Sequence, residues 1–147
     1  MEISSILHPD CVLCAVQGSS KKRILELISQ VASQHLVEID QATILASLSS
    51  REKVGCTGIG GGIALPHGRI KGLESTLAVL VTCQPPVQYD AIDNMPVDIF
   101  FAILVPEEKA NEHLQTLSAI AKKFSDKDVL KELRSATTDQ ALFQVLS

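Results

Sequence analysis

Apolar residues change period several times along the chain, and each change marks an element. Ile24, Leu27, Ile28 and Val31 recur at helical spacing. Ser19 or Ser20 stands just before them as a hydroxyl cap. A second helix is predicted after Asp40 through TILASLSSREK, with Ile44, Leu45 and Leu48 on its buried face and Arg51 near its C-terminal end. The pattern then breaks. Gly55–Gly62 holds five glycines in eight residues, which excludes helix and predicts a loop with exposed backbone. GIAL follows as a short apolar strand, and Leu65 is extended because Pro66 comes next. TLAVLVTC (76–83) and VDIFFAILV (97–105) are near-continuous apolar runs of the kind that form strands covered on both faces. QPPVQYDAIDNMPVD between them predicts a long, turn-rich connection.

From Asn111 the period is helical again, with Leu114, Leu117, Ala121 and Phe124 in one stripe, Asn111 as the predicted cap and Glu112 at the positive helix end. KDVLKELRSA and TDQALFQVL predict two shorter helices, the last capped by Thr138 or Asp139. The order helix, helix, strands, helices predicts an α/β fold, a mixed β-sheet with helices on both faces. No repeat or linker divides the chain, so a single domain over residues 1–147 is expected.

Composition narrows the function. The net charge is −4, there is no Trp and there is one Tyr, which disfavours a nucleic-acid binder that relies on a basic surface or stacking aromatics. No apolar run reaches membrane-spanning length, and the N-terminus lacks a basic segment before an apolar one, so a cytoplasmic protein is expected. Cys11 and Cys14 form a C-x-x-C without a second pair, which argues against a zinc ribbon. CVLCAV alternates in a β-prone run, so Cys14 is read as a small packed residue.

The candidate chemistry lies in GCTGIGGGIALPHGRI, residues 55–70. The glycines satisfy neither a P-loop, which needs Lys-Ser or Lys-Thr, nor G-x-G-x-x-G, since position 63 is Ile63. Bare backbone amides there suit an anion nest or a plain turn. His67 is aimed by Pro66 and given room by Gly68, whereas His8 and His35 lack such surroundings and read as surface residues. A neutral imidazole is a nucleophile toward phosphorus, provided its other nitrogen is held as a donor. Arg51 suits two phosphoryl oxygens, or equally the negative end of its helix. His113 suits the same site, or the polar edge of an apolar face. Two other chemistries use these residues: hydrolysis by Cys56 or His67, where a Cys–His pair needs Cys56 near a base with an orienting partner, and a metal centre of His67, His113 and a cysteine.

Three blocks carry a family resemblance: REKVGCTGIGGGIALPHG (51–68), YDAIDNMPVDIFFAILVP (89–106) and HLQTLSAIAKKFSDK (113–127). From about Ile6 to Leu146 the chain resembles the enzyme IIA domains of the phosphoenolpyruvate-dependent phosphotransferase system, in the fructose/mannitol class and its nitrogen-regulatory branch. The resemblance implies a mixed sheet with helices on both faces. It implies that His67 is phosphorylated on Nε2, with Arg51 and His113 as its active-site companions. It implies a histidine-phosphorylated carrier protein as donor and needs no cofactor, metal or nucleotide. It further implies regulation of partner proteins such as sensor kinases or transporters, with links to nitrogen metabolism and potassium homeostasis. A sugar-specific role, passing phosphate to a separate IIB component, is the alternative. Cys56 departs from the serine common in relatives, which removes a hydroxyl that could meet phosphate.

Overall fold

The computed structural model describes residues 3–147, without the side chains of residues 110–114. Two antiparallel strands form the centre, β5 (Leu77–Val87) and β6 (Val97–Pro106). Both correspond to the continuous apolar runs, and almost every residue of β6 is buried. β5 runs past the predicted end at Cys83, through a cis Gln84–Pro85 bond, so part of the anticipated loop is strand. Strand alternation sends successive residues to opposite faces. Val79, Val81, Phe100, Ala102 and Leu104 enter one core layer; Leu80, Ile99, Phe101 and Ile103 enter the other.

Helices α1 (Lys21–His35) and α2 (Gln41–Val54) cover the first layer. Both start where the sequence places them. Ser20 Oγ accepts from the Arg23 amide at 3.1 Å and Asp40 Oδ1 from the Thr43 amide at 2.8 Å. Ile44 and Leu48 are fully buried, while Leu45 is half-buried at the margin. The second layer is covered by α3 (His113–Lys123), α4 (Lys127–Ser135) and α5 (Asp139–Leu146), through Ile120, Phe124, Leu133 and Leu142. Asp126 caps α4 and Thr138 caps α5. A 3-10 helix over Glu107–Glu112 leads into α3, so Asn111 lies within that segment; the capping expected of its side chain falls outside the described residues.

Strand β1 (Leu7–Val16) pairs in parallel with β5 on one side. On the other side of the sheet, β2 (Gly58–Gly60), β3 (Ile63–Ala64) and β4 (His67–Ile70) build an interrupted edge. The mixed sheet therefore has helices on both faces, as expected. The glycine stretch is not an open loop. Its second half is a β2–β3 hairpin, turned through Gly60, Gly61 and Gly62 at φ +94°, +68° and +83°. These angles lie in the left-handed region that glycine tolerates without strain.

The cysteine pair is split by the same alternation. Cys11 is buried in the α1/α2 layer, whereas Cys14 is half-buried against the other. Cys14 does more than pack: its Sγ donates to the Ala136 carbonyl at 3.2 Å. Its amide donates to Asp139 Oδ1 at 2.7 Å. All four cysteines are free thiols.

Candidate active site

β3 and β4 behave as one strand with a gap. Ile63 and Ala64 pair with Ile99 and Phe100, and His67 to Ile70 pair in parallel with Ile103 to Pro106, in unbroken register. Pro66 fills the gap, having no amide to give, while its carbonyl accepts from the Ile103 amide at 2.9 Å. His67 is thus the first residue of a strand rather than a loop residue, held against the most buried strand of the sheet.

The imidazole is fixed at both nitrogens. Nδ1 donates to the Leu65 carbonyl at 2.8 Å. A carbonyl only accepts, so Nδ1 carries the proton and Nε2 presents its lone pair. Arg51 Nε donates to that Nε2 at 3.1 Å. An arginine N–H can donate only to an unprotonated nitrogen, so this contact describes a neutral ring. A nucleophilic imidazole requires its other nitrogen to be held as a donor; in the structure the Leu65 carbonyl, two residues back, does this.

Arg51 reaches His67 from the last turn of α2. Its Nη1 donates to the Gly55 carbonyl at 2.8 Å, just past the helix end. Arg51 therefore meets an orphan carbonyl at the helix terminus and at the same time points at the histidine. Among the described residues Nη2 makes no hydrogen bond, so it can turn to an incoming oxygen.

The close approach of α2 depends on Gly68. A methyl group there would run into the Ser47 hydroxyl and stand 3.1 Å from Ser47 Cβ and 3.2 Å from its carbonyl carbon. Ser47 Oγ instead donates to the Arg69 carbonyl at 2.8 Å, bonding helix to strand. Ser47 and Arg51 are four residues apart, on one helix face. The room left by Gly68 is therefore taken by the helix that delivers Arg51. Ser47 is the residue that motif reading missed. Its one signal was that spacing from Arg51.

Next to the site runs a polar network. Glu52, with its side chain 6% exposed, pairs with Lys21 Nζ at 2.9 Å. It also accepts from the Thr57 hydroxyl and, at 3.1 and 3.2 Å, from the Thr57 amide. Thr57 Oγ1 lies 3.2 Å from the Tyr89 hydroxyl, and Lys21 Nζ sits 4.4 Å over the Tyr89 ring. Burial pushes the Tyr89 phenol well above its ordinary range. The network fixes the start of the glycine segment directly after Arg51.

Three glycine-segment amides anticipated as anion donors are already committed. Thr57 donates to Glu52, Gly58 to Cys56 Sγ at 3.3 Å and Gly61 to Asp93 Oδ2 at 3.0 Å. Arg134 clamps the hairpin tip, bonding Asp98 at 2.8 and 2.9 Å and the Gly61 carbonyl at 2.7 Å. Cys56 Sγ donates to the Tyr89 carbonyl at 3.1 Å, and its other sulfur contacts are the Gly58 amide and Lys21. It is not paired with His67, which removes the geometric basis of the Cys–His hydrolase reading. His113 opens α3, and the 3-10 helix before it packs against β4. The His113 side chain lies outside the described residues, so the sequence expectations that use it, for phosphate or for metal, fall there too.

Comparison with known proteins agrees with this architecture. The family model "Phosphoenolpyruvate-dependent sugar phosphotransferase system, EIIA 2" matches residues 5–147. The chain belongs to that family. It is 43% identical over 146 residues to a nitrogen regulatory protein of Pseudomonas aeruginosa, covering 99% of this chain and 95% of the relative. The crystal structure of nitrogen regulatory protein IIA-Ntr from Neisseria meningitidis superposes with TM-score 0.91 at 33% identity, covering 99% of both chains. A fructose-specific EIIA component of Haloferax volcanii is more distant, at 27% identity over 146 residues, covering 99% of this chain and 95% of the relative.

Proposed function

We propose that His67 is the phosphoryl acceptor of a phosphocarrier that serves a nitrogen-regulatory branch of the phosphotransferase system. The observation that carries this is the pair of bonds on the imidazole: Leu65 holds Nδ1 as donor, and Arg51 marks Nε2 as the basic nitrogen. A carrier protein bearing a phosphohistidine docks against β4 and the end of α2. Nε2 attacks phosphorus in line, its lone pair forming the new N–P bond as the donor's N–P bond breaks. The electron pair of the broken bond returns to the donor imidazole.

Arg51 Nε moves from Nε2 to a phosphoryl oxygen as that bond forms, and Nη2 takes another. The Leu65 carbonyl keeps the Nδ1 proton in place and stabilises the positive charge that grows on the ring. Positioning and electrostatics supply most of the catalysis in such transfers. His113, at the start of α3, completes the group around the phosphoryl oxygens. The chain acts as one EIIA domain. No metal, nucleotide or cofactor takes part.

The transferred group is then a signal. Identity to nitrogen regulatory proteins exceeds that to the fructose-specific component, 43% against 27%, which favours regulation over sugar uptake through a IIB component. The phosphorylated and free forms differ in charge around His67, and that difference selects among regulated partners such as sensor kinases or transporters, including those of potassium homeostasis. No helix among the described residues is long and apolar enough to cross a membrane, which fits a role exercised on docking partners in the cytoplasm.

The test is phosphorylation with phosphoenolpyruvate, the first enzyme of the phosphotransfer chain and the histidine phosphocarrier. Mass spectrometry is expected to find one acid-labile phosphate, lost in His67→Ala. Equal labelling of His67→Ala would overturn the assignment.

A further inference from the structure

The register of β1 is broken in one place that the phosphoryl site does not use. Leu7 pairs with Ala78 and Val12 with Leu80, so five steps along β1 answer two along β5. The surplus residues between Leu7 and Val12 leave the ladder as a bulge. In a regular strand neighbours face opposite ways. Here Asp10 and Cys11, adjacent in sequence, bring their donor atoms to one point and meet His35 from the last turn of α1. One ligand atom from each of the three lies within 4.8 Å of the other two. His35 Nδ1 is 2.7 Å from Asp10 Oδ2. His8 stacks on the His35 ring, with centroids 4.6 Å apart, and holds its plane.

We propose that Asp10, Cys11 and His35 form a zinc(II) site, with water in the fourth position. Thiolate, imidazole and carboxylate are the three side-chain donors that zinc takes, at roughly 2.0–2.3 Å in a tetrahedron. That geometry puts ligand atoms about 3.3–3.7 Å apart. The 2.7 Å carboxylate–imidazole contact therefore opens by up to about 1 Å, and the other sides, none longer than 4.8 Å, close by at most about 1.5 Å. Such shifts are within reach of side chains at a bulge and a helix end. Cys11 forms the buried floor, while the Asp10 carboxylate is 61% exposed and leaves a path for the ion. A dication there balances the Asp10 carboxylate and the thiolate that Cys11 becomes on binding.

The balance is simple. Zinc binds, the Cys11 S–H bond gives one proton to solvent, and no electrons move. Burial and the adjacent Asp10 charge push the metal-free Cys11 thiol up to about 12, so that proton is present before binding. A bound ion joins the end of α1 to the bulge of β1, away from Arg51 and His67.

The test uses the full chain stripped with EDTA and titrated with cobalt(II). One equivalent is expected to give tetrahedral visible bands and a thiolate-to-cobalt band in the near ultraviolet, both erased by zinc. Asp10→Asn and His35→Gln sit at the partly exposed rim, and thermal melting verifies that they fold. Each is expected to weaken binding at least tenfold, the lower end of what losing even an outer-shell partner costs. A Cys14→Ser/Cys56→Ser variant is expected to keep the thiolate band. Absence of that band, its persistence at unchanged affinity in His35→Gln, or its loss in the Cys14/Cys56 variant would overturn the proposal.

Discussion

Gly68→Ala tests the claim that the site is assembled by a close approach of helix and strand. Gly68 touches no phosphoryl group in the proposed mechanism, so its effect on transfer must run through packing. The new methyl meets the Ser47 hydroxyl and stands 3.1 and 3.2 Å from two further Ser47 carbons, one of them backbone. Ordinary contact begins near 3.4 Å. A hydroxyl can rotate away, but the helix backbone cannot, so α2 must retreat by a few tenths of an ångström. Overpacking of this kind costs about 1–3 kcal/mol. Losing the 2.8 Å Ser47–Arg69 bond adds about 1 kcal/mol. For a chain of this size each kcal/mol lowers the melting temperature by about 3 °C, giving a fall of roughly 6–12 °C. Arg51 retreats with the helix. Because a 1 Å misplacement costs about a hundredfold in rate, a shift of part of that slows phosphoryl transfer by roughly tenfold. Stopped-flow transfer from the phosphorylated carrier, beside calorimetric melting, reads both. Ser47→Gly in the Gly68→Ala background removes the clashing side chain. It should recover most of the rate but less of the stability, since glycine inside a helix costs about 1 kcal/mol. Unchanged melting and transfer in Gly68→Ala would refute the packing argument, as would a double variant no faster than the single one.

Three further outcomes follow from the structure. Arg51→Ala removes the one guanidinium bonded to Nε2, and a charge-assisted hydrogen bond of about 1.5–3 kcal/mol corresponds to roughly 10- to 100-fold slower transfer at nearly unchanged melting temperature; a wild-type rate would take Arg51 out of the mechanism. Burial pushes the Cys11 and Cys83 thiols from 9.0 to about 12, so the folded chain holds these protons above the pH at which the unfolded chain releases them. Their contribution to stability is therefore complete below about pH 9 and is lost as pH rises toward 12, so the urea midpoint in EDTA should fall across that window. Native alkylation should modify Cys14 and Cys56 ahead of Cys11 and Cys83, and equal labelling of all four would contradict the burial.

The covered elements were legible because burial writes a period into the sequence. The α1 stripe and the runs of β5 and β6 all face core, and the helix caps Ser20 of α1, Asp40 of α2 and Thr138 of α5 need only one side-chain oxygen in the right place. The edge of the sheet was less legible. Glycines carry no side chain, so the two-residue period of β2 is invisible, and the hairpin reads as a loop. β1 conceals its bulge for a related reason. Register is a relation between two strands, and neither strand records it alone.

The site shows the same division between residue types and relations. His67 and Arg51 stood out by chemistry, but what leaves the lone pair of His67 on Nε2 is a carbonyl on Nδ1, and every residue has a carbonyl. Only the backbone path through Pro66 brings that of Leu65 within 2.8 Å of Nδ1. The path is set in turn by the register of β3 and β4 on β6, which Pro66 interrupts without shifting. Gly68 reads in the sequence as room beside His67, and that room is filled by Ser47. In both cases the residue beside the histidine acts on the backbone, and the backbone acts on the imidazole. The geometry around His67 should therefore be more sensitive to Pro66 and Gly68 than to Cys56, whose thiol donates to the Tyr89 carbonyl.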